Sequence, residues 1–316
     1  MRNAFSDALV SAARKDSRVL LLTGDHGYAL FDPFRAACPD QYINAGVAEQ
    51  NMVGVAAGLA KGGFRPFVYG LSAFVPIRVL EQIKMDVCYH ELPVIFIGDG
   101  AGVVYSSLGS SHQSTEDIAA LRSLPSISIF SPADAAEMTA CMEAALASTG
   151  PVYLRMGKAD LGKIHDSPPV VKSGGLINVQ QGRSKMAFIA TGSMVFAARA
   201  ASQEWSDVAV WSAPSLKPIS SESIEQIAKQ HEIIVTFEEH SVSGGLGSIV
   251  TEVCSERFPR HVLRIGIQDR FSQFCGSYEY LMREHKLDLE SVVEKIRNYL
   301  VQLGMEETHG LKNRAK

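Results

Sequence analysis

The sequence predicts an α/β protein built from two doubly wound, mostly parallel-sheet domains. Short apolar runs alternate with helix-like segments along almost the whole chain. The runs, such as Pro93 to Ile97, are apolar throughout, which suits strands buried on both faces of a helix-covered sheet. The alternation breaks once, across residues 157 to 175, where Gly157, Gly162, Pro168, Pro169, Gly174 and Gly175 cluster with little periodicity. The chain's 316 residues fit two domains, and 46% hydrophobic with 20% charged residues is a globular composition. The expected division is a first domain over 1–160, a linker over 161–174 and a second domain over 175–316.

The elements follow in order. Arg18 to Leu22 reads as a strand running into Thr23-Gly24-Asp25. Val47 to Lys61 reads as a helix stopped by Gly62-Gly63. Pro66 to Leu71 is a strand, Pro76 to His90 a helix with proline in its first turn, and Pro93 to Ile97 a strand. Ser126 to Phe130 is another strand. A helix capped by Ser131 follows, with Pro132 at its first position, and runs to about Ala147. Val152 to Arg155 closes the first half. In the second half, strands are expected at Met186 to Ala190, Val208 to Trp211, Ile233 to Phe237 and Val262 to Ile265. Helices are expected at Met194 to Glu204, Ser221 to His231, Leu246 to Phe258 and Leu289 to Leu303. The polar residues after Gly304 read as a frayed end.

A formal charge of −4, from 30 basic and 34 acidic residues, gives no footing for a nucleic-acid or membrane-surface partner. The apolar runs are too short to span a bilayer. The opening Met1-Arg2-Asn3, then Ala4 to Val10 broken by Ser6 and Asp7, does not read as a signal peptide. The cysteines (Cys38, Cys88, Cys141, Cys254, Cys275) are odd in number, scattered and without a C-x-x-C pair, as expected of reduced thiols in the cytoplasm. The chain also lacks G-x-G-x-x-G, G-x-x-x-x-G-K-[ST], G-x-S-x-G and any zinc-ligand spacing.

Four segments carry a resemblance when taken in order. Ile43 to Met52 (Ile-Asn-Ala-Gly-Val-Ala-Glu-Gln-Asn-Met) precedes an Ala/Gly-rich helix. Ser72 to Ile83 is an aromatic stretch that ends in Glu-Gln-Ile. Gly109 to Ile118 reads Gly-Ser-Ser-His-Gln-Ser-Thr-Glu-Asp-Ile. Phe237-Glu238-Glu239-His240 is followed by Gly244-Gly245-Leu246-Gly247-Ser248. The ordered set resembles the pyrimidine-binding and C-terminal domains of the transketolase family, whose GIxEx, Asp-Gln-Ile and Gly-Pro-Thr-His-Gln segments these match. The resemblance implies the second subunit of a split transketolase, using thiamine diphosphate and Mg2+ to pass a two-carbon ketol unit between sugars or sugar phosphates. It implies an α2β2 assembly: a diphosphate-binding partner corresponding to the family's N-terminal section, plus a homodimer contact through this chain, with the second domain as scaffold. Gly98-Asp99-Gly100 opens like the family's metal motif, but no Asn follows until Asn178. A tight turn is therefore expected there, with no metal site in this chain and Mg2+ held by the partner.

The resemblance assigns Glu49 to the aminopyrimidine ring of the cofactor. The chemistry needs a carboxyl there that shares a proton with a ring nitrogen. A dry pocket favours the protonated form and a helix start the anion, so the sequence leaves both open. The plainer alternative is a Glu that complements a helix dipole. Phe74 is the expected stacking face, against a plain core Phe. Leu71 and Tyr69 flank it as candidate pocket walls. His112 is the expected contact to the sugar or to a developing oxyanion, against a loop-ordering His. Arg155 matches a sugar-phosphate arginine, since a strand-end Arg can clamp a phosphate bidentately, against a surface salt bridge. Arg78 and Asp25 complete the substrate candidates. Glu116 and Asp117 read as charges on a helix start.

One departure concerns the substrate. Where the family has an acid ahead of Gly-Pro-Thr-His-Gln, this chain has Leu108. A buried apolar residue there could not accept a substrate hydroxyl, which points to a modified-sugar or secondary pathway. The alternatives are a 2-oxo acid dehydrogenase β-type subunit, a deoxyxylulose-phosphate synthase-like subunit, and a non-catalytic structural subunit.

Overall fold

In the computed structural model, the described residues are 1–305 apart from Tyr28, Ala159, Lys172 and Ser173. The expected frayed end therefore lies, from residue 306 on, outside them. The strands are β1 (Val19–Thr23), β2 (Tyr42–Asn44), β3 (Arg65–Leu71), β4 (Ile95–Asp99), β5 (Ser128–Phe130), β6 (Val152–Met156), β7 (Ile177–Gln180), β8 (Met186–Ala190), β9 (Ala209–Ser212), β10 (Ser215–Lys217), β11 (Ile233–Ser241) and β12 (His261–Ile267). They form a seven-stranded sheet ordered β10-β5-β6-β4-β3-β1-β2 and a five-stranded sheet ordered β12-β11-β8-β9-β7. Every pairing is parallel except β10 with β5 and β7 with β9. The fold is the expected pair of doubly wound, mostly parallel sheets.

The helices are α1 (Arg2–Lys15), α2 (Asp32–Ala37), α3 (Glu49–Lys61), α4 (Leu80–Gln82), α5 (Asp117–Arg122), α6 (Ala135–Ala147), α7 (Met194–Ala201), α8 (Ser221–Gln230), α9 (Leu246–Arg257), α10 (Tyr278–Glu284) and α11 (Leu289–Gln302). On one face of the larger sheet, Phe5 and Leu9 of α1, Phe34 of α2 and Met138 of α6 pack on Leu21, Phe67, Ile97 and Leu154. On the other, Met52 and Val53 of α3 pack on Leu20, Leu22, Val68 and Phe96. That same core continues through Ile224 of α8 and Val250 of α9 to Ala187 and Ile189 of β8. The two sheets thus share a helical layer. The far face of the smaller sheet is covered by Val195 of α7, Leu281 of α10 and Ile296 of α11. Strand β8 shows why its sequence is apolar throughout: Met186, Phe188 and Ala190 face one core, and Ala187 and Ile189 the other.

Three local features depart from the sequence reading. Pro76 to His90 is not one helix. It is a 3₁₀ turn (Ile77–Val79), the single α turn α4, and a π turn (Ile83–Cys88) whose wider pitch brings Ile83, Val87 and Cys88 all into the core. The cap of α6 is Asp134 rather than Ser131. Its carboxylate accepts from the Glu137 amide (2.9 Å), while Glu137 accepts from the Ala133 amide (2.7 Å). The acid three residues after Ser131 is Asp134, which serves as the cap itself, so the reciprocal pair forms one turn further on with Glu137. Residues 215–217, in the second half of the chain, hydrogen-bond to the first sheet through β5.

Candidate active site

Ligands of open α/β sheets lie outside the carboxyl ends of the strands, and the candidate residues gather there. Beyond β1, Asp25 adopts a left-handed conformation (φ 62°) and accepts from Asn44 Nδ2 (3.1 Å); His26 follows it. Beyond β2, Asn44 Oδ1 accepts from the Gly46 amide (2.9 Å), and Gly46 takes φ 69°, a turn that leads into α3. Glu49 is the first residue of α3 and only 4% exposed. Beyond β3, the Leu71 carbonyl accepts from the amides of both Phe74 and Val75 (2.8 Å each). This tight turn leaves the Phe74 ring half-buried at the mouth of the crevice. Beyond β4, a long loop returns with His112, whose ring meets Phe74 edge-on at 5.3 Å between centroids. His26 lies 6.4 Å from the same ring. Arg78 completes the group: its guanidinium carbon is 4.0 Å from the Phe74 centroid, and Nη1 donates to Glu49 Oε1 (3.0 Å).

These residues offer an aromatic face, a buried carboxylate and imidazoles on one rim. His112 Nδ1 faces Ser111 Oγ (3.0 Å), which leaves Nε2 for a substrate. His26 Nε2 is buried without a hydrogen-bond partner among the described residues. A buried polar atom without a partner is costly unless something else supplies the bond, and here it adjoins the Phe74 ring. The sequence reading passed over His26. Its signal was its place just beyond the carboxyl end of the first buried strand.

The transketolase pyrimidine-binding domain matches residues 1–163, and the transketolase C-terminal domain residues 175–292. The chain belongs to the transketolase family. It is 34% identical over 296 residues to one subunit of an apulose-4-phosphate transketolase from Phocaeicola vulgatus, covering 92% of this chain and 94% of that one. It is 32% identical over 298 residues to the 6-deoxy-6-sulfo-D-fructose transketolase subunit SqwH of a Clostridium species, covering 93% and 92%. A solved split-gene transketolase, described as an inactive β4 tetramer, superposes with a TM-score of 0.87 at 33% identity, covering 95% of this chain and 98% of that one.

Within this transketolase fold, the remaining candidates take different places. Tyr69 is buried against Phe5 and Phe31 on the α1 side of the sheet, and its hydroxyl donates to Asp99 Oδ2 (2.7 Å). It shares the strand face of Phe67, which turns it from the Phe74 pocket that sequence proximity suggested. Burial beside the Asp99 carboxylate raises its pKa. Leu71 shapes the turn through its carbonyl. Asp25 is exposed. Asp99 ends β4, so the turn expected at Gly98-Asp99-Gly100 begins only at Gly100 (φ 72°); Arg2 (2.8 Å), Tyr69 and Tyr105 (3.0 Å) all donate to Asp99 Oδ2. Among the described residues no group of three or more His, Cys, Asp or Glu could hold a metal ion. Leu108 is 52% exposed rather than buried, so its effect is to leave an apolar surface where an acid would stand.

Arg155 is the clearest correction. It is 2% exposed, and its Nε donates to Asp117 Oδ2 (2.8 Å) while Nη2 reaches the carbonyls of Glu239 (2.9 Å) and Ser114 (3.3 Å). Tyr153 adds its hydroxyl to the same Asp117 oxygen (2.7 Å). A sugar phosphate arriving from solvent does not meet this guanidinium; it ties β6 to α5 and β11. Around it the second domain contributes a buried polar group. Glu239 accepts from Val103 N (2.8 Å), Ser193 Oγ (2.5 Å) and Tyr278 OH (2.6 Å). Glu238 accepts from the amides of Leu246 (2.8 Å) and Gly247 (2.9 Å), yet burial outweighs those donors and pushes its carboxyl up to about 7. His240 Nε2 accepts from the Ala119 amide (3.3 Å), which fixes the neutral tautomer with Nδ1 donating to Ser241 O (2.7 Å). Burial holds its pKa down at about 4. The second domain also braces the His112 loop: Ser110 Oγ donates to Ser272 O (3.2 Å), and Ser272 Oγ donates to Gln113 Oε1 (2.7 Å).

Proposed function

We propose that this chain is the pyrimidine-binding subunit of a split transketolase, active with a diphosphate-binding partner, and that it transfers ketol units between modified sugars or sugar phosphates. The observation that carries the reading is the convergence of Glu49, Phe74, His112 and a His26 nitrogen without a hydrogen-bond partner among the described residues at the carboxyl ends of β1 to β4. These residues suit the aminopyrimidine half of thiamine diphosphate: a ring to stack on, a carboxyl for a ring nitrogen and an imidazole nitrogen that, among the described residues, is open to a hydrogen bond. When bound, the cofactor supplies the thiazolium carbon that carries the two-carbon unit. Phe74 would orient the ring, Glu49 would hold a proton at the ring nitrogen, and His112 Nε2 would donate to the sugar oxygen that gains charge. The exposed Leu108 where the family has an acid, together with the modified-sugar names of the similar proteins, supports the substrate class. Mg2+ is assigned to the partner, because Asp99 Oδ2 already takes three donors and no Asn follows Gly98-Asp99-Gly100 until Asn178. The tetrameric neighbour supports a contact between copies of this chain, and the unpaired cysteines support a cytoplasmic setting.

The test is ketol transfer by this chain with its diphosphate-binding partner, thiamine diphosphate and Mg2+, using ketose donors. Glu49→Gln is expected to lower kcat by about 10²- to 10⁴-fold, the range of a lost proton-transfer group. Full activity of that variant would favour a structural subunit. Carbon dioxide release from pyruvate in place of ketol transfer would favour the 2-oxo acid or deoxyxylulose-phosphate alternatives.

A further inference from the structure

We propose that Arg78 is a gate that takes the place of the cofactor's aminopyrimidine ring and must swing out before the ring can enter. The inference rests on the reading of Glu49 and Phe74 given above. A planar ring held there needs two things, a stacking face and a hydrogen bond to the carboxylate. Arg78 takes both at once: its planar guanidinium lies over Phe74 at 4.0 Å, and Nη1 donates to Glu49 Oε1 at 3.0 Å. A guanidinium resembles an aminopyrimidine edge in this respect, since both are flat, both stack on aromatic faces and both present N–H donors or a protonated nitrogen to a carboxylate. The two cannot share Phe74 and Glu49.

The build of the gate allows it to move. The Arg78 amide donates to the Phe74 carbonyl (3.2 Å), so the backbone stays anchored within the 3₁₀ turn. The side chain is 45% exposed while Glu49 is 4% exposed. Rotation toward solvent therefore leaves the core untouched and uncovers both the ring face and the buried carboxylate. While in place, the guanidinium gives Glu49 a charged partner, which an almost fully buried carboxylate otherwise lacks. Ring entry thus trades one occupant of Glu49 for another. That makes Arg78 a positioning residue that sets the affinity for the ring.

The experiment is calorimetric titration of the full chain with 4-amino-5-hydroxymethyl-2-methylpyrimidine, the isolated ring, which needs no diphosphate site. Arg78→Ala is expected to bind it roughly tenfold more tightly than wild type, because a half-exposed cation–π contact and ion pair no longer have to be broken. In that variant, added guanidinium ion should compete with the ring and weaken its binding; in wild type it should not. Arg78→Lys should fall between the two proteins. Equal or weaker binding by Arg78→Ala, including none measurable in either protein, would overturn the gate. A double variant separates the two readings. If the ring binds Arg78→Ala and Phe74→Ala added to it changes nothing, then the ring sits elsewhere and the assignment of Phe74 and Glu49 fails. If Phe74→Ala abolishes binding while Arg78→Ala leaves it at the wild-type value, the site stands and the gate falls.

Discussion

Replacing Arg155 separates two roles that a strand-end arginine can have. A phosphate clamp at the rim would give an Arg155→Ala protein of ordinary stability with a raised KM for phosphorylated sugars. The structure predicts the opposite. Removing the guanidinium leaves the Asp117 carboxylate fully buried with only the Tyr153 hydroxyl (2.7 Å) on the oxygen that both share, while Asp117 Oδ1 already lacks a hydrogen-bond partner among the described residues. The carbonyls of Ser114 and Glu239 lose their donor as well. Breaking a buried pair by removing one member costs about 3–5 kcal/mol, because the remaining charge is left without compensation. Urea unfolding of Arg155→Ala should show a loss of that size. The double variant Arg155→Met with Asp117→Leu, which removes both charges, should recover most of it. A single-variant loss below about 1 kcal/mol, the range of an exposed pair, together with a raised KM, would refute the argument and restore the clamp.

Other perturbations have defined signs. Glu238 is raised from 4.5 to about 7, so between those values the folded chain keeps a proton that the unfolded chain releases, and its stability contribution falls as pH rises. His240 is lowered from 6.5 to about 4, so across that window the unfolded chain holds the extra proton and stability rises with pH. The slopes oppose each other. Glu238→Gln should uncover the His240 slope, up to about 1.4 kcal/mol per pH unit, in urea midpoints compared at acidic and near-neutral pH; slopes equal to wild type would contradict it. Gly245→Ala brings a methyl group against the Glu238 carboxylate and His240 Nδ1, and overpacking of this kind should lower unfolding free energy by about 1–3 kcal/mol. Asp99→Ala strands the buried Tyr69 hydroxyl and should cost about 1–3 kcal/mol in the same assay; wild-type stability would show that the three donors find other partners.

Strands buried on both faces were legible because burial leaves mostly apolar residues: β1, β4, β6 and β8 are buried along their whole length, with Thr23, Asp99 and Arg155 as polar exceptions at or next to a strand's carboxyl end. The short or half-buried strands were not. Tyr42–Asn44 has no fully buried residue, every residue of Ile177–Gln180 is half-buried, and Ser215–Lys217 is three residues beside a proline. Helix α1 did carry a signal, Phe5, Leu9 and Ala13 at intervals of four. In the site, Glu49, Phe74 and His112 were found through the order of their segments, and each stands at a strand's carboxyl end. The roles of Tyr69 and Arg155 were not recoverable, because hydrogen bonds decide them: Tyr69 bonds a residue 30 positions away and Arg155 one 38 positions away. Period-two alternation says that a side chain points to a face, not what waits for it there.

The antiparallel pairing of β10 with β5 has a consequence for how freely the halves can be exchanged. The larger sheet is finished by a strand that the other half donates, so the halves are stitched rather than merely linked. A fragment ending in the stretch between them would expose the outer edge of β5, an open row of backbone donors and acceptors of the kind that recruits other chains. A chimaera joining the first half of this chain to the second half of a relative would need a donated strand in register with Ser128–Phe130, besides compatible surfaces. In the growing chain the same edge waits uncovered from Phe130 until Ser215 has been added, a long-range closure that delays completion of the first sheet until well into synthesis of the second half.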